Sequence, residues 1–478
     1  MKRNTILFLL IAIPFIGINA RTNVIINVLD KTKGMTNLSF QDWPAIRTSG
    51  FVEIKYIKEM QVTSDSTGIF VIETSGQPNI LVASLFKERE QKQILITPGD
   101  TITAVIDFRG KNKDRFDVVF YGKHEENYNA YYNLNKEFDR NKIMKMAESV
   151  KSLEKYIQII DSAYASNTKK INATLKPSIL RDLMLNEEKT QIFLYLDYRK
   201  RVAGDKLTTS NFLSIKKRYF PDKKTVCKNP IYLKSVKYSN GMELLKSFLC
   251  EDIKMGNQLI AETDTIKKYF AGELKKYLLV MNFGRSAYLY KKDKELNGAD
   301  IDNWYHDYFG KFKDDIFNKY LQYAYERYKI LNKPFPENIL KAKIIQLSDS
   351  TVYTISDFLK KYKGMQLVLD NWATWCGPCI FEMNKGKENV QKLKDIGNTF
   401  VYISIDEISD FNRAKEKAKE LGIIDDAYLI HGGYKSEYAK YLNIVSIPRF
   451  VMIDTEGNVK DLQMPFPSNI SNFFDYKK

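Results

Sequence analysis

Cysteine and histidine are scarce in this chain, with four of the first and three of the second among 478 residues. Four cysteines cannot build a disulfide framework, so apolar cores must hold the domains together. His124, His306 and His431 are scattered, with no ligand partners at metal spacing, which argues against a histidine-based metal centre. Zinc at Cys376 and Cys379 would need two further ligands, and only Cys227 and Cys250 are left to supply thiolates. A phosphate-cradling glycine loop and a nucleophile elbow are both absent. So are repeats of fixed period and low-complexity segments. Beyond the first twenty residues no apolar run is long enough to cross a bilayer.

Those first twenty residues are different. Lys2 and Arg3 make a short positive start, Ile6 to Ile18 is almost purely apolar, and Asn19-Ala20 offers a small-residue cleavage site. This is a secretory signal pattern, too short for a typical span, and it predicts export to the periplasm or cell envelope. An uncleaved membrane anchor is the alternative. The net charge is +16. Lysine is spread along every segment and interleaved with acidic residues, and no basic run is long enough to form an arm. The excess therefore reads as a solvated surface, with no nucleic-acid partner. In an exported protein Cys227 and Cys250 could form a structural disulfide or remain two buried thiols, and the sequence does not choose between them.

Periodicity divides the mature chain in three. Residues 21–122 read as β-structure, with short runs at Val24–Leu29, Phe51–Ile57, Ile69–Ile72, Ile80–Leu85 and Ile94–Thr97. Pro98-Gly99-Asp100 then separates two alternating runs, which predicts a β-hairpin. Strands at this spacing suggest a sandwich-like region. Residues 123–335 change period: Tyr305, Phe309, Phe312, Ile316, Tyr320, Ala324, Tyr328 and Leu331 recur at three or four, the stripe of amphipathic helices with an aromatic core. Asn332-Lys333-Pro334-Phe335-Pro336 breaks the last long helix as a linker. Residues 336–478 alternate strand and helix, which argues for an α/β domain on a central sheet.

Within that last part lies Trp372-Ala373-Thr374-Trp375-Cys376-Gly377-Pro378-Cys379, directly after the run Leu367-Val368-Leu369-Asp370-Asn371. A strand feeds two cysteines at the start of a helix. Backbone N–H groups at a helix N-terminus stabilise a thiolate, which makes Cys376 a nucleophile at neutral pH. Cys379, one turn further on, can resolve a mixed disulfide. Gly377 and Pro378 keep the turn tight and start the helix.

These residues, with Ile447-Pro448-Arg449-Phe450-Val451-Met452-Ile453-Asp454 and Gly457 downstream, resemble the TlpA/ResA-type thioredoxin-like thiol–disulfide oxidoreductases. The resemblance runs from about Pro336 to the C-terminus. With its extra N-terminal region the whole chain also resembles long TlpA-like proteins of Bacteroidetes. It implies an exposed Cys376 as nucleophile and a more buried Cys379 as resolving thiol. Trp375, Gly377, Pro378, Ile447 and Pro448 would face substrate. Pro448 would be a cis-proline against the sulfurs, leaving the Ile447 backbone to pair with an extended substrate; an ordinary trans proline opening a strand is the alternative. Asp370, six residues before Cys376, matches a buried carboxylate that relays a proton to or from Cys379. The alternative is a solvent-facing strand end. Glu382 matches an active-site acid, although a glutamate in a first helical turn is also favoured by the helix dipole alone.

Two departures stand out. Asn384 replaces the family's helix-kinking proline, which predicts a straighter helix, and the chain ends soon after Phe473-Phe474, which predicts a short last helix. The resemblance implies an exported disulfide reductase with no cofactor beyond the redox-active disulfide Cys376–Cys379. Its partners would be protein disulfides and an upstream thiol donor, which could be membrane-bound. A peroxidase is disfavoured because the Pro-x-x-x-Thr-x-x-Cys run is missing around Cys376. The rival reading is an envelope binding or assembly protein whose N-terminal region recognises a partner.

Overall fold

The computed structural model describes residues 22–29, 38–41, 69–74, 81–87, 90–96, 102–107, 117–204, 209–251, 258–289, 298–312, 315–444 and 446–468. The signal pattern, the run Phe51–Ile57, the Pro98-Gly99-Asp100 turn and Phe473-Phe474 lie outside the described residues.

Among the described residues seven strands come first: β1 (Thr22–Leu29), β2 (Leu38–Gln41), β3 (Ile69–Thr74), β4 (Leu81–Lys87), β5 (Glu90–Ile96), β6 (Ile102–Asp107) and β7 (Asp117–Gly122). They form two sheets, ordered β3-β1-β6-β7 and β2-β4-β5. Among the described residues β5 and β6 do not pair with each other, as the hairpin expected around Pro98-Gly99-Asp100 would require. β5 pairs with β4, whereas β6 lies between β1, to which it is parallel, and β7. Alternation fixes which face of a strand is apolar but leaves its neighbour open, and here distant β1 takes the edge a hairpin would have used. The expected sandwich is not supported. Most side chains through which two such sheets would pack lie outside the described residues.

Six helices follow: α1 (Glu125–Glu137), α2 (Arg140–Ser149), α3 (Leu153–Thr174), α4 (Ile179–Ala203), α5 (Thr209–Tyr219) and α6 (Val236–Leu249). Their starts are local. Asp139, Ser152, Ser178 and Ser235 each accept the backbone N–H three residues on, satisfying donors that a first turn leaves free. α4 is buried on most of its faces and carries Glu187 and Glu188 into the interior. There Tyr131 donates to Glu187 at 2.8 Å, Asn167 donates to Glu188 at 2.9 Å, and Arg140 pairs with Glu188. A Cβ on Gly241 of α6 would fall 2.3 Å from Thr190 Cβ of α4, so glycine permits this helix contact. A short parallel pair, β8 (Thr225–Val226) and β9 (Phe270–Ala271), lies in the same unit.

The chain divides into two compact units, and the division runs through α7 (Gln258–Tyr269) and α8 (Gly272–Leu289). The second unit continues with α9 (Gly298–Tyr308) and α10 (Asp315–Ile330). The aromatic stripe is largely core: Tyr305 stacks on Tyr325 at 3.8 Å, Phe283 on Trp304 at 4.7 Å, and Tyr320 is fully buried. Phe309 is the exception and is exposed.

The Asn332–Pro336 segment is more than a spacer. Asn332 donates to Val459 O at 2.7 Å, Val459 donates to Lys333 O at 3.1 Å, and Phe335 is buried in the core that follows. An edge strand leaves backbone groups unpaired, and this extended stretch satisfies some of them.

Next come α11 (Glu337–Leu340), β10 (Lys343–Gln346), β11 (Val352–Thr354), α12 (Ile355–Lys361), β12 (Gln366–Trp372), α13 (Gly377–Lys385) and α14 (Lys387–Asp395). They are followed by β13 (Asn398–Ser404), α15 (Phe411–Glu420), β14 (Ala427–Ile430), α16 (Glu437–Tyr441), β15 (Arg449–Ile453) and β16 (Val459–Asp461). The sheet order is β11-β10-β14-β13-β12-β15-β16, a thioredoxin-like fold. β12 is parallel to β13, antiparallel to β15, and buried along its whole length. Four of its seven residues are apolar, and Gln366, Asp370 and Asn371 are buried among them. The straighter helix expected from Asn384 is not found, because α13 and α14 divide at Gly386. A Cβ there would stand 2.9 Å from Pro467 Cβ and 3.2 Å from Ser468 N, so a later segment crosses the helix at this point.

Candidate active site

The site is built on the end of β12 and the first turn of α13. Cys376 is the N-cap: its Sγ accepts the Cys379 N–H at 3.1 Å, and its carbonyl accepts from Ile380 at 3.2 Å. The sulfur thus sits where the helix concentrates positive potential, the environment that favours a thiolate once the pair is reduced. Cys376 and Cys379 are joined as a disulfide. The exposed Cys376 expected from resemblance is corrected. Cys376 is 4% exposed and Cys379 1%, because capping tucks the first sulfur against its own helix. Trp375, just before the cap, is 57% exposed. Gly377 and Pro378 occupy the first helical positions.

Asp370 lies within β12, opposite Tyr402 of β13 and Phe450 of β15. It is 2% exposed, and its Oδ1 is buried without a hydrogen-bond partner. Burial first, and the nearby Glu382 charge second, hold its carboxyl well above the usual carboxylate range. Tyr402 is raised by burial and then by Asp370. Glu382 is buried on α13, and both its oxygens accept from Ser468: the backbone N–H at 2.6 Å and the hydroxyl at 2.9 Å.

The Ile447–Pro448 peptide bond is cis. The β12–β15 ladder ends at the Asn371–Arg449 pair, so half-buried Ile447 and Pro448 lie just beyond paired backbone. Cys227 and Cys250 are thiols outside this site. Cys227 donates to Asn229 O at 2.9 Å, and burial pushes its thiol up to about 11. Such a group is a poor nucleophile at neutral pH. Among the described residues, no three His, Cys, Asp or Glu side chains gather at metal-binding range.

Sequence reasoning missed the residues that hold the loop. Asp406, buried just past β13, accepts from the Thr374 N–H at 3.2 and 2.9 Å, from the Thr374 hydroxyl at 2.9 Å and from Ser404 at 2.7 Å. These bonds fix the stretch between Trp372 and Cys376. Asn371 does the same for the proline side: its amide donates to Arg449 O at 3.0 Å, and Tyr438 donates back to it at 2.9 Å. The one signal for Asp406 was its place at the C-terminal end of the strand beside β12, where sites on such sheets collect.

Asp406→Ala should leave three buried donors unsatisfied and destabilise the oxidised domain by about 3 kcal/mol. Urea unfolding followed by hydrogen exchange in β12 and β13 measures this. A change within about 0.5 kcal/mol, the size of a surface substitution, would show that the loop is held by something else.

Residues 334–476 match the Redoxin family, so the C-terminal part of the chain is a Redoxin domain. Over 101 residues the chain is 31% identical to the thiol-disulfide oxidoreductase ResA of Bacillus thuringiensis subsp. konkukian, covering 21% of this chain and 56% of that protein. It is 26% identical over 129 residues to the thioredoxin-like protein YneN of Bacillus subtilis, covering 25% of this chain and 69% of YneN. The chain thus spans about half the length of the ResA proteins it matches. Among solved structures, a thiol-disulfide oxidoreductase from Bacteroides fragilis aligns at 18% identity with a TM-score of 0.25, covering 29% of this chain and 98% of that one.

Proposed function

We propose that this chain is an exported thiol–disulfide oxidoreductase that reduces protein disulfides, proceeding from the Redoxin domain at its C-terminus. The observation that carries the reading is the Cys376–Cys379 disulfide at the N-cap of α13, just after β12, the strand that holds a buried Asp370 of raised pKa.

In the reduced protein the Cys376 thiolate attacks one sulfur of a substrate disulfide. The Cys376–substrate bond forms, and the substrate's other sulfur leaves as a thiolate and takes a proton. Cys379 then gives its proton to the Asp370 carboxylate and attacks Cys376. The substrate's second thiolate is expelled, and the Cys376–Cys379 disulfide closes. Two electrons have passed from the dithiol to the substrate. An upstream dithiol donor returns them, and protonated Asp370 supplies the proton that Cys379 needs as it leaves. Exposed Trp375 and the backbone at Ile447, beside cis-Pro448, supply a surface for an extended substrate chain. Export rests on Lys2, Arg3 and the apolar run Ile6–Ile18. Among the described residues, no helix is long and apolar enough to cross a membrane.

The test is turbidimetric insulin reduction with dithiothreitol as donor. Catalytic amounts of the chain should accelerate precipitation well beyond dithiothreitol alone, and no acceleration would overturn the reading. Direction is tested separately by the potential of the pair in glutathione or thioredoxin buffers. The Gly-Pro dipeptide leads us to expect a value near thioredoxin's, roughly −270 mV, whereas roughly −120 mV would make the protein an oxidant.

A further inference from the structure

We infer that Glu382 is a positioning residue that clamps the C-terminal segment Met464–Ser468 across the face of β12 and β15 carrying Asp370. The part of this that concerns turnover rests on the reductase reading above.

Three sets of contacts define the clamp. At its near end Met464 donates its N–H to Phe450 O at 2.9 Å, and Phe466 packs edge-on against Phe450 with ring centroids 6.0 Å apart. Phe450 is the register partner of Asp370, and directly opposed residues of an antiparallel pair share a face. The segment is therefore tied to the face on which Asp370 lies. In the middle, Asn389 of α14 donates to Pro467 O at 2.8 Å. Pro467 and Ser468 pass so close to Gly386 that a side chain there would collide with them. At the far end both carboxylate oxygens of Glu382 are taken up by Ser468. Glu382 is 5% exposed, and a buried carboxylate is tolerated when hydrogen bonds of this kind satisfy it.

The clamp explains two features together. The helix divides at Gly386 because the segment crosses there. Asp370 stays dry because Phe450 and the segment packed on it form part of its wall. The titratable groups bearing on Asp370 are Glu382 from α13 and Tyr402 from β13, alongside the Cys376–Cys379 pair.

The experiment compares the full chain with Glu382→Ala, Glu382→Gln, Ser468→Pro and Gly386→Ala. Hydrogen exchange of the oxidised protein is read over Met464–Phe466. Glu382→Ala, Ser468→Pro and Gly386→Ala should each raise exchange there by on the order of tenfold. Glutamine keeps an acceptor for the Ser468 N–H and a donor for its hydroxyl oxygen, so Glu382→Gln should restore protection. Insulin reduction should follow the same order, with Glu382→Ala and Ser468→Pro equally slowed, the double variant no slower than either, and glutamine rescuing. Unchanged exchange in Glu382→Ala would overturn the clamp. So would a glutamine variant as slow as the alanine one beside a Ser468→Pro protein of normal rate, since Glu382 would then act through its proton. If the parent chain does not reduce insulin, the reductase reading fails, and the exchange measurements still decide the clamp.

Discussion

Cys376→Ser is expected to abolish insulin reduction, with a loss of roughly a thousandfold or more. The serine hydroxyl can cap α13 as the sulfur does, so the fold should survive. It cannot ionise near neutral pH, however, and it cannot form the mixed disulfide. Cys379→Ser is expected to behave differently. Its Cys376 still attacks, but no second thiol expels the product, so a covalent Cys376–substrate complex accumulates. That complex should be visible as a band shift on non-reducing gels, lost on adding dithiothreitol. Residual turnover in Cys376→Ser, or trapping through Cys379 in that variant, would exchange the two roles or remove the dithiol from the reaction. Both sulfurs are nearly fully buried in the oxidised form, so exposure does not separate them. Their difference lies at the helix cap, where Cys376 accepts the Cys379 N–H.

Asp370→Asn is expected to slow turnover and to stabilise the oxidised protein above neutral pH. Asp370 is held well above the usual carboxylate range, by burial and then by Glu382. In the unfolded chain it would titrate near its ordinary value of about 3.9. Between those two values the native state holds a proton that the unfolded state has released, so stability falls as pH rises through the window. Above the native value it levels off. Each pH unit of the window costs about 1.4 kcal/mol. Asparagine removes the ionisation and with it the loss, so the variant's advantage should be absent below about pH 4 and grow with pH. Its turnover should lose the limb of the pH profile that reports Asp370, since Cys379 no longer has an internal proton partner. Urea midpoints of the oxidised proteins across pH, beside insulin-reduction profiles, measure both. A midpoint difference that does not vary with pH would place Asp370 in an environment no drier than solvent.

Much of the C-terminal domain was legible in the chain. The alternation of strand and helix expected over residues 336–478 is what the domain shows from β10 to β16, and β15 and β16 pair across Glu456-Gly457-Asn458. The cis bond before Pro448 was expected from the family resemblance, since a proline opening a strand fits a trans bond as well. The N-terminal strands were legible as strands but not as neighbours. β5 and β6 are separated by five residues and belong to different sheets, a choice made by β1 from far upstream.

By itself the sequence determined what acts within one turn: two cysteines at a helix start, the first capping it, and serines or aspartate opening four of the helices in the first unit. A side chain can reach only a few backbone groups along its own chain, so spacing alone decides such contacts. The tertiary structure alone decided the rest. It brought Asp406 to Thr374 across 32 positions, Arg449 to Asn371 across 78, and Ser468 to Glu382 across 86. These partners meet because sheet order and helix crossing place them side by side, and no local pattern of polar residues encodes that order.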